Sequence, residues 1–171
     1  FLEAINKALG KEPIPEEIFY YIYAVLYSPT YRKCYEEFLK IDFPRISLPT
    51  NYENFKNLSE LGKELVLLHL LKHPDLSKPR VGFPVPGSGK VDKISYDEPT
   101  GRIYINNNQY FEGISRDTWE YRIGAYKVLE KYLKDRKGRK LSLEESEHYM
   151  KIAKAIKRTI ELQGKIDLIP L

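Results

Sequence analysis

Apolar residues recur at helical spacing over most of the chain and at strand spacing only in its middle. Pro13 and Pro15, followed by Glu16 and Glu17, open a helix, because proline suits a first turn and acids favour the positive end of the dipole. Ile18, Phe19, Ile22, Val25 and Leu26 carry it on, apolar nearly all round, which predicts a well-buried helix interrupted by Ser28-Pro29. Tyr31, Cys34, Tyr35, Phe38 and Leu39 keep the spacing of a second, amphipathic helix. Residues 43–49 set Arg45 and Ser47 alternately with Ile46 and Leu48 between two prolines, as a short edge strand or extended segment does. From Glu53 to Lys72 the set Leu58, Leu61, Leu65, Leu68 and Leu71 predicts the longest helix of this half, with Asn51 as its cap.

Between His73 and Lys90, four prolines and three glycines exclude long regular structure. Residues 91–96 and 102–105 then flank a turn ending in Gly101 and predict a β-hairpin, with the loop 106–109 after it. Over residues 118–123, Trp119, Tyr121 and Ile123 alternate with Thr118, Glu120 and Arg122, the pattern of a half-buried strand. Leu129, Tyr132 and Leu133 predict a helix over 125–134, ended by Gly138. Ser142 and Glu145 form a capping box that opens a long helix through Tyr149, Ile152, Ile156 and Ile160. The fold class expected is α+β: helices packed on a small, mainly antiparallel sheet, with a C-terminal helical part. Residues 1–78 form the N-terminal helical part and 79–171 the hairpin and C-terminal helices of one compact domain.

With 42% hydrophobic and 30% charged residues, the composition is that of a globular protein. The longest apolar run, residues 18–27, is about half a membrane span and holds four tyrosines, so no membrane partner is expected. One cysteine, Cys34, and three scattered histidines allow neither an internal disulfide nor a zinc site, which points to a reducing, cytoplasmic setting. The chain starts at Phe1 without a leader-like segment, and a piece of a larger polypeptide is expected. A net charge of +4 alone says little, but its distribution changes the picture. Residues 131–140 hold six basic residues against one acid, and residues 151–158 add four more with none.

Catalytic patterns are missing. Pro86-Gly87-Ser88-Gly89-Lys90 fails as a phosphate loop, because Pro84 stands where the first glycine belongs and Val91 where Ser or Thr would hold magnesium. No Ser or Cys sits in a nucleophile elbow, and His69, His73 and His148 lack a companion acid at useful spacing. The pair Glu144-Glu145 is explained by capping. There is no Asn- or Asp-Pro-Pro-aromatic motif for a flipped adenine and no Gly-rich nucleotide loop. No cofactor is expected for this chain.

Two stretches do carry a resemblance. Residues 18–32 with Phe43-Pro-Arg-Ile-Ser-Leu-Pro49, and residues 102–106 and 109–113 with Trp119-Glu-Tyr-Arg-Ile-Gly124 and residues 126–138, resemble the C-terminal target-recognition (specificity) domain of type ISP restriction-modification enzymes and related adenine-specific DNA methyltransferases. These stretches follow the family order and cover most of residues 16–162. The resemblance implies a non-catalytic reader of double-stranded DNA. It also implies a parent polypeptide whose catalytic parts use S-adenosylmethionine, ATP and Mg.

A DNA reader needs cations for phosphates and paired donors and acceptors for base edges. Lys134, Arg136, Lys137, Arg139 and Lys140 are the candidates for phosphate. Asn107, Asn108, Gln109 and Tyr110 after the hairpin, with Arg122, are the candidates for bases, because amides match adenine and guanidinium matches guanine in the major groove. The same residues also fit a solvated basic turn and ordinary loop chemistry. A docking module of the same polypeptide that does not read bases is the competing reading.

Overall fold

The computed structural model describes residues 2–77 and 81–170. Two compact units emerge: residues 1–70 with 161–171, and residues 71–160. The boundary expected between residues 78 and 79 lies outside the described residues.

The first unit is helical. Helix α1 (Leu2–Leu9), not predicted, is short and buries Ile5 completely. Helix α2 (Pro15–Tyr27) begins with proline at its first turn, as expected. Its buried face is Ile18, Tyr21, Ala24 and Val25, so the expectation of burial all round fails: Phe19, on the other face, is 53% exposed. The Ser28 hydroxyl accepts from the Tyr31 amide and caps α3 (Pro29–Cys34). The second predicted helix is thereby delivered in two pieces, with α4 (Glu36–Leu39) following a break at Tyr35. Tyr21 and Tyr31 donate their hydroxyls to the carbonyls of Ser47 and Arg45, which holds residues 43–49 as an extended segment rather than a strand.

Helix α5 (Tyr52–His69) is capped by the Asn51 side chain, which accepts from the Asn54 amide at 2.8 Å. Phe55, Leu58, Leu65 and Leu68 are buried, and Ser59 and Lys56 bind the Glu17 carbonyl and carboxylate on α2. Gly62 lets the α2 backbone approach so closely that a β-carbon there would lie 1.9 Å from the Tyr20 carbonyl oxygen. The chain's last residues belong to this unit too. Asp167 accepts from the Ser28 and Thr30 hydroxyls, and the Gln163 amide donates to the Tyr27 carbonyl, closing the α2–α3 corner.

The second unit holds a three-stranded antiparallel meander, β1 (Ser95–Asp97), β2 (Arg102–Tyr104) and β3 (Tyr110–Glu112). The predicted hairpin is present, with Tyr96 opposite Ile103 and Gly101 at positive φ closing the turn. The third strand, unpredicted, puts Phe111 opposite Ile103. Of residues 118–123, expected as one strand, residues 118–120 are helical and only Arg122–Ile123 pair as strand. The Ser115 hydroxyl accepts from the Thr118 amide and opens helix α6 (Arg116–Glu120), whose neighbouring Thr118 and Trp119 are both buried, a pairing that strict alternation forbids. A small hairpin, β4 (Arg122–Ile123) and β5 (Tyr126–Lys127), leads into α7 (Val128–Lys134). Helix α8 (Leu143–Ile166) follows. Ile103, Ile105, Phe111, Trp119, Leu129, Leu133 and Tyr149 form the core that fixes sheet and helices together.

Candidate nucleic-acid interface

Residues 89–92 run with the basic stretch 138–141 on one side and residues 105–106, at the entry to the amide loop, on the other. Toward the basic run, the Leu141 amide donates to the Gly89 carbonyl, Val91 to Arg139, and Gly138 to Val91. Toward the loop, the Asp92 amide donates to the Ile105 carbonyl at 2.8 Å, and the Asn106 side chain donates to the Lys90 carbonyl at 2.9 Å. Adjacent hydrogen-bonded extended segments run about 5 Å apart, so the backbones of residues 138–141 and 105–106 flank residues 89–92 with roughly 10 Å between them. Lys90, which faces Lys140 in an isolated bridge, lies between them and was not among the candidate residues. Its only signal in the sequence was the failed phosphate loop.

The amide loop divides into two pairs. Asn106 accepts from the Asn108 and Gln109 amides and builds the turn. Gln109 is 3% exposed: its carbonyl accepts from the Gly89 amide and the Asn106 side chain, and its amide donates to Val85. Asn107 and Asn108 are exposed. With Pro86, Ser88 and Asp92 they line a hollow of about 420 Å³. Tyr110 packs against Tyr104 and lies beneath the Arg102 guanidinium, 4.2 Å from its ring centroid. Arg122 is placed elsewhere, on β4, donating to the Ala125 carbonyl.

The basic run is equally divided. Arg136 stacks on Tyr132 at 3.6 Å and donates to the Tyr132 carbonyl and to Glu145. Arg139 grips both oxygens of Glu145, at 2.9 and 2.6 Å. Lys134 pairs with Glu130 one turn back. Among the described residues, Lys137 and Lys140 are exposed and make no ion pair.

Glu145 is the hinge of this arrangement. It completes the predicted capping box, accepting from the Ser142 amide while the Ser142 hydroxyl accepts from its own. The Arg139 fork first, then the Ser142 amide, hold its carboxyl at about 2 against an ordinary 4.5. A depressed carboxyl means that the unfolded chain binds the proton first, so stability is full above about pH 4.5 and lost as pH falls toward about 2. Glu145→Gln should therefore lower the urea midpoint at neutral pH, and its difference from wild type should shrink across that window. A difference that stays constant from pH 6 to pH 2 would refute the assignment.

The family model of the type ISP C-terminal specificity domain matches residues 1–165. The chain belongs to this family. No curated protein matches it in sequence. Among solved structures, the specificity domain is similar to part of a DrdV-DNA complex, at 24% identity and TM-score 0.74 over 99% of this chain and 19% of that one. It is similar to the ATP-dependent type ISP restriction-modification enzyme LlaBIII bound to DNA, at 21% identity and TM-score 0.68 over 99% of this chain and 12% of that one. A nuclease-deletion mutant of the type ISP enzyme LlaGI in complex with a DNA substrate mimic matches at 22% identity and TM-score 0.66, over 91% of this chain and 14% of that one. The specificity domain thus spans less than a fifth of each, and at these identities the likeness is one of fold. Among the described residues, no group of His, Cys, Asp or Glu could hold a metal, and no helix is long and apolar enough to cross a membrane.

Proposed function

We propose that this specificity domain docks on double-stranded DNA and sets the sequence on which a larger adenine-specific methyltransferase or restriction polypeptide acts. In this reading it has no catalytic role, and the parent's other parts, in the cytoplasm, use S-adenosylmethionine, ATP and Mg. The observation that supports it is the hydrogen bonding of residues 89–92 to residues 138–141 within the basic run and to residues 105–106 at the entry to the amide loop. Two such backbone spacings, roughly 10 Å, are within the width of a major groove, about 12 Å. Lys137 and Lys140 are assigned to phosphates, and Asn107 and Asn108 to base edges. Gln109, Arg136 and Arg139 act through them as positioning residues, because their polar groups are engaged inside the fold.

Lys137→Ala with Lys140→Ala should weaken binding to every duplex and reduce the slope of log affinity against log salt by about 1.8, close to 0.9 for each phosphate contact. Asn108→Ala should instead change the ranking of sequences at nearly the same slope. A slope equal to that of wild type in the lysine variant would remove both lysines from the interface.

A second reading, docking on the parent's catalytic parts, draws on the first unit. Ile41 and Phe43 there are 83% and 87% exposed. Docking by that unit and reading by the other are compatible.

A further inference from the structure

Ile123 and Tyr126 face each other across β4 and β5, so their side chains emerge from the same face of the hairpin. They are 64% and 62% exposed, and burial in the core contributes little to holding them where they are. The hairpin is braced without them. Gly124 at φ +58 opens a two-residue turn with Ala125, the arrangement whose twist matches the strands. Arg122 donates to the Ala125 carbonyl at 2.9 Å, and Lys127 reaches over the Trp119 ring to Glu120. Ile123, Tyr126, Val128 and Tyr132 wall a shallow hollow of about 360 Å³ rimmed by Lys131, Asp135 and Arg136.

The charge around this apolar pair selects its partner. Residues 122–140 carry eight basic side chains, and the acids that engage them are Glu120, Glu130, Asp135 and Glu145, so the setting is net positive. Protein interfaces are depleted in lysine at their centres, whereas a polyanion draws such a setting in. A two-stranded ribbon fits the major groove of undeformed duplex, whereas the minor groove, about 6 Å wide, admits one only where the DNA is deformed, and the apolar group that base edges display in the major groove is the thymine methyl. We propose that the β4–β5 hairpin enters the major groove of duplex DNA, where Ile123 and Tyr126 recognise thymine through its 5-methyl group. The inference rests on the DNA-reading role above and adds residues of a chemistry that the amide loop lacks.

The test uses the full chain and duplexes it selects from a random pool, resynthesised with uracil in place of thymine at each preferred position. Wild type should bind about fourfold more weakly for each methyl removed from a contacted base. Ile123→Ser with Tyr126→Ser should bind thymine and uracil duplexes equally while keeping the wild-type salt slope and melting temperature. Wild-type indifference to uracil, selected duplexes without a preferred thymine, or a double variant that retains the thymine preference would each overturn the inference and leave DNA reading standing. A chain that selects no duplex at all would overturn both.

Discussion

Gly62→Ala should destabilise the first unit by about 2–3 kcal/mol, although alanine is intrinsically the better helix former by about 1 kcal/mol. The reason is steric. An added β-carbon would meet the Tyr20 carbonyl oxygen at 1.9 Å and its carbon at 2.7 Å, and both are backbone atoms that cannot rotate away. Helix α2 must then retreat from α5, and the burial of Tyr21, Phe55 and Leu58 between them suffers with it. Gly164→Ala on α8 is the control, because nothing lies within 4 Å of its added carbon. That variant should gain roughly 0.4–1 kcal/mol. Thermal melts followed by circular dichroism decide the matter: at 2–4 °C per kcal/mol, Gly62→Ala should fall by roughly 5–10 °C. A Gly62→Ala protein melting at or above wild type would mean that the helices do not touch at this point.

Gln109→Ala is expected to cost about 2–4 kcal/mol and to carry DNA affinity down with it. The substitution strips partners from the Gly89 amide, the Val85 carbonyl and one arm of Asn106, and each buried polar group left bare costs roughly 1–3 kcal/mol. Packing around the amide is tight, since a β-carbon on Gly87 would lie 2.7 Å from the Gln109 side chain. The Gln109 side chain ties residues 85–89 to the amide loop, and its loss leaves the loop held only from its Asn106 end, by the bonds to Lys90 and Asp92. Asn108→Ala, at the preceding position of the same turn but with an exposed side chain, should leave stability within about 0.5 kcal/mol of wild type. Hydrogen exchange of the Gly89 amide gives the local readout. Unchanged protection in Gln109→Ala would show that the loop is held by something else.

The division of labour between Gln109 and Asn108 shows where residue patterns stop being informative. Both are amides in one polar run, and only the fold, which brings Gly89 and Val85 twenty and twenty-four residues back to the same place, separates the structural one from the exposed ones. The basic run behaves alike. Its six cations are equivalent in the chain, but Glu145, arriving on α8, engages Arg136 and Arg139 and leaves Lys137 and Lys140 open.

Features that depend on neighbours within one or two turns were legible. Asn51 caps α5, Ser142 and Glu145 close their box, the turn ending at Gly101 joins β1 to β2, and the α+β class follows from these pieces. Helix α6 was not, because five residues are too few to display a period and the alternation around Trp119 imitated a strand. The third strand had the same handicap, with three residues paired to a partner only through the sheet. Short-range hydrogen bonds and apolar periodicity are properties of the chain itself, so the longer helices, the first hairpin and the family could be read from residues alone. Which cation is unpaired, which amide is buried and which hairpin stands in water are settled by contacts between residues distant in the chain, and those exist only once it has folded.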